Sequence, residues 1–235
     1  MALTDGLLGL YRWNQHPSDA SGNGKNGTVY GAVFNTSVKK LGSASIDGDG
    51  VDDYVTLSSQ PGFGSTSLSL SAWVYLDALY GPGDIAMEIF NNNQIFIRKE
   101  PQSDGTRFAI FLKLSDGTIE PRAAWTASFV TGVWYHILAT WNGTDLKLYG
   151  DGVLKDTVTR LGVLTSITVT AQWLAGEQTT TNNNFFNGKL DECGLWNRVL
   201  TAAEISQLYN SGTGIEIPYP TPTGDGGGGI WGLIR

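Results

Sequence analysis

An all-β sandwich of two antiparallel sheets, with one short C-terminal helix and an extended C-terminal tail, is the fold class this 235-residue sequence predicts. Three observations predict it. Apolar and polar residues alternate over much of the chain, the mark of strands with one buried face. Glycine is abundant (31 residues) and charge is sparse (16%), which suits short strands joined by many tight turns. Only one stretch carries helical spacing with a cap and a stop. No linker-like segment interrupts the chain before Gly214, so residues 1–213 read as one domain and residues 214–235 as a tail.

Taken in order, the opening "MALTDGLLGLYRWNQ" lacks the basic segment and apolar run of a secretory signal, so the expectation is folding in a cytoplasm. "DASGNGKNG" places Asp19, Asn23 and Asn26 on a Gly-rich loop, suited either to an oxygen-ligated cation or to side-chain-stabilised turns. "DGDGVDD" fails as an EF-hand loop, because Asp52 and Ser58 stand where Gly and Glu are needed. It reads as a hairpin turn in which Asp49 and Asp52 could assist a metal. "SLSLSAWVYLD" sets Leu68, Leu70, Ala72, Val74 and Leu76 on one side and Ser69, Ser71, Trp73 and Tyr75 on the other. "RFAIFLKLSDG" gathers Phe108, Ile110, Leu112 and Leu114 in the same way. "WYHILATWNGTDLKLYGDGVLKD" reads as consecutive strands turned by Asn142-Gly143 and Asp151-Gly152, with Lys147 and Tyr149 opposite Leu146 and Leu148. In "LTAAEISQLYNSG", Thr201 caps a helix with Glu204 reaching back, Ile205, Leu208 and Tyr209 share a face, and Gly212 stops it. Beyond Gly214, alternating Pro218, Pro220 and Pro222 give a stiff spacer and Gly226–Gly229 a swivel. Ile230, Trp231, Leu233 and Ile234 form an apolar tip that needs a partner, another protein subunit or a copy of this chain.

Several function classes are excluded on composition. A formal net charge of −7 opposes nucleic acid and anionic bilayers. No segment approaches the roughly 20 apolar residues of a membrane-spanning helix. One cysteine, Cys193, allows no intrachain disulfide and reads as a small buried hydrophobe. His16 and His136 are the only histidines, and neither G-x-S-x-G nor H-E-x-x-H occurs. His136 lies in an alternating strand and reads as a hydrogen-bonded sheet residue.

The phrases "DASGNGKNGTVYG", "GSASIDGDGVDDYVTL", "SLSLSAWVYLD", "GVWYHILATWNGTDLKLYGDGVL" and "NGKLDECGLWNRVLTAAEISQLYNSG" together resemble the LamG-like, concanavalin A-like jelly-roll family, from Tyr11 to Gly212. Cys193 after Asp191-Glu192 and the Pro/Gly tail depart from the family pattern. The resemblance implies a jelly-roll β-sandwich and one structural calcium ion clamping the chain ends through Asp19, Asn23 and Asp191. Its glucanases carry an E-x-D-x-(x)-E type signature that is absent, since no Glu here has an Asp two positions on. The expectation is therefore a non-enzyme.

Glycan binding is expected where aromatic rings stand beside amides, at Trp73, Tyr75 and Tyr149 on one sheet face, or in the amide-rich loops "FNNNQ" with Asn92 and "QTTTNNNFFNG" with Asn183. Tryptophans filling a covered face are the alternative. The tail adds an expectation of a display module: a phage or virus structural protein, such as a capsid decoration or fibre-like part, on a virion surface assembled in host cytoplasm within an oligomeric assembly. A secreted or cell-surface bacterial carbohydrate-binding module is the alternative, and a glycoside hydrolase the third class.

Overall fold

A computed structural model describes residues 1–63, 66–81, 86–102, 105–117, 119–165, 171–174 and 184–217. The strands, in chain order, are β1 (Leu7–Tyr11), β2 (Gly27–Tyr30), β3 (Val33–Asn35), β4 (Ser45–Asp49), β5 (Tyr54–Leu57), β6 (Leu68–Leu76), β7 (Met87–Asn91) and β8 (Ile95–Gln102). They continue with β9 (Gly105–Lys113), β10 (Ile119–Ala127), β11 (Trp134–Trp141), β12 (Asp145–Gly150), β13 (Val153–Thr159), β14 (Gln172–Trp173) and β15 (Asn187–Trp196), after which helix α1 covers Ala202–Tyr209. The first sheet runs β13-β12-β11-β6-β15-β4-β3, with β1 added beside β15. The second runs β10-β9-β8-β7-β14-β5-β2. All pairings are antiparallel, as the jelly-roll expectation requires.

Alternation sets the core. Leu68, Leu70, Ala72, Val74 and Leu76 of β6 and Phe108, Ile110 and Leu112 of β9 enter one buried cluster, joined by Tyr11, Trp13, Trp141 and Trp173. Fully burying each large apolar side chain contributes about 1.5–3 kcal/mol, so this interlayer carries most of the favourable energy of folding.

Asp151 (φ 51°) and Gly152 (φ 72°) both take positive φ, the geometry of a two-residue hairpin turn between β12 and β13. Asn142 acts differently. Its Oδ1 accepts from the Thr144 and Asp145 amides at 2.9 and 2.6 Å, while Gly143 (φ 91°) turns the chain. "DGDGVDD" is not a hairpin: β4 belongs to the first sheet and β5 to the second, so the turn carries the chain between layers.

Helix α1 has the expected capping box between Thr201 and Glu204. It ends earlier than Gly212, at Asn210, which takes the left-handed conformation (φ 46°) and closes the last turn by donating to Ser206 O. Ile205 and Leu208 pack with Leu3, Leu7, Leu10, Leu138, Trp196, Leu200 and Ile217 on the outer face of the first sheet. That face is closed by the helix and the flanking segments. Among the described residues no helix covers the outer face of the second sheet.

Candidate functional site

The expected groove on the first sheet is filled. Trp73 is only 2% exposed. Tyr209 stacks on its ring at 5.9 Å, the Lys40 ammonium lies 4.0 Å from its centroid, and Gly214 approaches its indole nitrogen. Tyr149 is half-buried against the helix-side cluster, and Tyr75 is half-buried beside Trp134 (5.3 Å) and the Lys189 ammonium (5.2 Å). His136, below Tyr209, bonds Ser71 Oγ through Nε2 at 2.9 Å, and burial pushes its pKa down to about 3, so it is a neutral sheet residue. The covered-face alternative therefore describes Trp73, because helix α1 docks on the outer face of this sheet and lays Tyr209 over that ring.

Asn92 is fully buried, and its Oδ1 accepts from the Gln94 and Ile95 amides at 3.0 and 2.8 Å. It shapes the β7–β8 turn instead of facing solvent. Asn183 and the tail residues Ile230, Trp231, Leu233 and Ile234 lie outside the described residues.

The residues marked for calcium have other partners. Asp19 Oδ1 accepts from the Leu10 and Ser21 amides at 3.0 and 2.9 Å, and Oδ2 from the Lys25 amide at 3.0 Å. Asn23 donates its side-chain amide to Leu7 O at 2.9 Å. Asp191 is fully buried and accepts from the Lys40, Leu41 and Glu192 amides at 2.8, 3.0 and 2.9 Å. Calcium requires about 6–8 oxygens turned towards one point. Here backbone N–H groups fill the carboxylates from three different segments, so this donor set does not fit the ion. Next to Asp191, Glu192 is held at φ 45° in the bulge of β15, with its carboxyl group buried near Arg12 and the Ile217 backbone. Burial, reinforced by the neighbouring Asp191, pushes this carboxyl up to about 8, so Glu192 keeps its proton at neutral pH. Asp49, Asp52 and Asp53 bring carboxylate oxygens within 4.8 Å of one another, but Asp49 accepts from Val51 N and Asp53 from Asp49 N within the turn.

The outer face of the second sheet carries a band of which sequence reading marked only the "FNNNQ" loop: its Phe96, Phe111 and Asn91 are buried, its Arg98, Arg122, Gln172 and Thr56 half-buried, and its Thr28 exposed. Cross-strand partners share a face, and here they run Arg122–Phe111–Phe96–Asn91–Gln172–Thr56–Thr28 across all seven strands. At roughly 4.8 Å per strand the band is about 29 Å long. One end holds Arg98, Arg107, Arg122, Glu88 and Glu100 around a small apolar shelf of Phe96, Phe111, Ala109 and Ala124. Beyond the shelf, buried Asn91 donates to Glu88 and accepts from the Asn93 amide, and half-buried Gln172 and Thr56 with exposed Thr28 offer one amide and two hydroxyls. Beside the other end Tyr30 and Tyr54 stack at 4.5 Å, with Phe185 6.5 Å from Tyr54, and Tyr30 is 45% exposed. The signal for this band was present: wherever Ile95, Ile97, Phe108 and Ile110 point inward, Phe96, Arg98, Arg107 and Phe111 must point outward.

Each carboxylate oxygen of Glu88 and Glu100 is engaged. Glu88 meets Arg98 at 3.1 Å and Asn91 Nδ2 at 2.7 Å, while Glu100 meets Arg98 at 3.9 Å, Arg107 at 2.9 Å and Arg122. A glycosidase needs one carboxyl free to give a proton and another free to act as nucleophile or base. This pair organises arginines instead.

Residues 49–206 match the concanavalin A-like lectin/glucanases superfamily. No curated protein matches the chain in sequence. Solved structures share its fold. Domain 4 of a GH43 extracellular arabinanase from Geobacillus stearothermophilus, solved with arabinotriose, superposes with TM-score 0.67 at 18% identity, over 89% of this chain and 98% of that one. The binding domain of Paraclostridial Mosquitocidal Protein 1 gives TM-score 0.72 at 21% identity, over 89% of this chain and 53% of that one. The botulinum neurotoxin serotype D binding domain gives 0.67 at 14%, over 88% and 52%, so the chain spans about half of either toxin domain.

Proposed function

The chain belongs to the concanavalin A-like lectin/glucanase superfamily, and from that premise we propose that it is a non-catalytic carbohydrate-binding module whose ligand lies across the open face of its second sheet. One observation carries the reading: the outward row of Arg98, Arg122, Gln172, Thr56, Thr28 and Tyr30, guanidinium, amide, hydroxyl and phenol groups that keep solvent exposure above a buried Phe96–Phe111 shelf. Sugar rings present apolar faces to stacked aromatics and hydroxyls to amide and hydroxyl partners, and a row about 29 Å long suits an extended oligosaccharide. Two of the fold neighbours are named as binding domains and another, a domain of an arabinanase, was solved with arabinotriose, which supports a glycan ligand for this one.

Titration of isotope-labelled protein with an oligosaccharide library tests it. The expected result is amide shifts at Asn91, Gln172 and Thr56, with affinity falling about tenfold or more in Tyr54→Ala. Binders whose shifts map to helix α1 and the first sheet overturn the assignment.

A second, compatible reading concerns residues 214–235. Three alternating prolines, four consecutive glycines and the apolar Ile230, Trp231, Leu233 and Ile234 support a module mounted on a larger assembly, such as a virion surface. Deleting residues 224–235 is expected to leave a folded domain that no longer attaches. Full incorporation of the truncated chain rejects this reading.

A further inference from the structure

Resting on the glycan-binding reading of the second sheet, we infer that the end of the band at Arg98, Arg107 and Arg122 takes an anionic saccharide, a chain bearing hexuronate carboxylates. The chain has seven arginines and a formal net charge of −7, and three of those seven stand together on this one face. Among the described side chains two carboxylates, Glu88 and Glu100, face these three guanidinium groups.

The arrangement differs from the other buried cations. Lys189 is matched by Asp47 and Asp77, and Arg198 is held by Glu204 in a closed pair. By contrast the Arg98, Arg107 and Arg122 side chains keep 27%, 20% and 30% of their surface in solvent. Their hydrogen-bonding capacity is also incompletely used. A guanidinium has five donors in a fixed fork, and the Nε atoms of Arg98 and Arg122 have no partner. An unpaired, desolvated N–H is unfavourable, and a small rotation that brings this edge to a ligand oxygen relieves it.

Position is fixed before any ligand arrives. Arg98 lies 4.8 Å and Arg122 4.4 Å from the centroid of the Phe111 ring, so both heads rest on the apolar shelf and are held above by Glu88 and Glu100. A carboxylate accepts two N–H groups from one such fork, and charge-assisted bonds of this kind are about twice as strong as neutral ones. Asn91 comes next along the band, followed by Gln172, Thr56 and Thr28, none of them charged. Such a band suits a ligand with an anionic group at one end and sugar hydroxyls along the rest.

The test uses the full chain and a panel of hexuronate oligosaccharides, each paired with its carboxyl-reduced neutral twin, plus sulfated oligosaccharides of the same length. Calorimetry is expected to give at least about tenfold tighter binding for the uronates than for their twins, a ratio that shrinks as salt is raised. Arg98→Met with Arg122→Met should bring that ratio to about one, and because uronate and twin are compared on the same variant, any general loss of affinity cancels. Because the double change leaves Glu100 short of partners, Arg122→Lys is the second variant: it keeps the charge and loses the fork, and a several-fold fall in the ratio is expected. Equal binding of uronates and neutral twins overturns this inference and leaves the glycan reading standing. Tighter binding of sulfated chains than of uronates overturns the carboxylate assignment. If no member of the panel shifts the resonances of the band, the glycan reading fails with it.

Discussion

Lys99 is a costly side chain in the described core. It projects inward from β8 between Met87 and Phe108, is fully buried, and its ammonium has no hydrogen-bond partner. The rings of Phe129, Phe108 and Tyr80 surround it at 5.1, 5.6 and 5.8 Å. Aromatic faces attract a cation, but they do not replace its hydration, and burial pushes the Lys99 pKa down to about 7. The unfolded chain holds this proton up to pH about 10.4, so between pH 7 and 10 the unfolded state binds more protons than the folded one. Stability therefore rises with pH across that window, by up to about 1.4 kcal/mol per unit from this residue. Lys99→Met keeps the volume and removes the charge, and is expected to raise the denaturation midpoint at pH 6 by the equivalent of about 1–3 kcal/mol while abolishing that rise. Urea titrations of both proteins at pH 6 and pH 9 check it. An unchanged midpoint at pH 6 would show that the ammonium has solvation absent from this geometry.

At the scale of the element, helix α1 depends on its first turn. Glu204 accepts from the Thr201 amide at 2.8 Å, closing the capping box, and pairs with Arg198 at 2.6 Å. Arg198 in turn donates to Asp5 O and Ala2 O, tying the helix start to the N-terminal segment. The Arg198 hydrogen bond pulls the Glu204 pKa down to about 2, so the carboxylate contributes stability above its unfolded pKa of about 4.3 and loses it as pH falls towards 2. Glu204→Gln is expected to cost about 1–2 kcal/mol at pH 7 and almost nothing at pH 2, measured as the loss of near-ultraviolet signal from Trp73 and Trp196 beneath the helix. The same helix explains what sequence could and could not supply. Its cap, its apolar face and the inward rows of β6 and β9 follow from local periodicity. Which outward row stays open does not, because Tyr209 reaches Trp73 across 136 residues of chain, and both sheets have outward aromatics with the same alternation. Trp73 drew attention as an outward ring, yet the row proposed for the ligand is assembled from Arg122, Phe111, Phe96, Asn91, Gln172 and Thr56, which come from six different strands.

For the whole molecule, the two flanks of the sandwich meet on one side. The Trp196 indole donates to Leu3 O at 2.7 Å, and Arg12, buried below residues 214–217, donates to Ile217 O. The resemblance assigns the joining of these flanks to calcium at Asp19, Asn23 and Asp191, where the described geometry sets backbone amides against both carboxylates. Asp19 gathers the amides of Leu10, Ser21 and Lys25, and Asp191 gathers those of Lys40 and Leu41 ahead of β4. Each such bond from an amide to a carboxylate contributes about 1.5–3 kcal/mol, comparable with a weakly held surface ion. An ion bound only to the folded state raises the thermal midpoint in proportion to the logarithm of its concentration, and that is the discriminating measurement. Thermal unfolding in millimolar chelator and in millimolar calcium is expected to give the same midpoint within about 1 °C, whereas Asp191→Asn should lower it by several degrees in both. A midpoint that climbs with calcium and drops in chelator would place a cation where these backbone donors now stand, and would require the loop after β1 to turn its carbonyls inward.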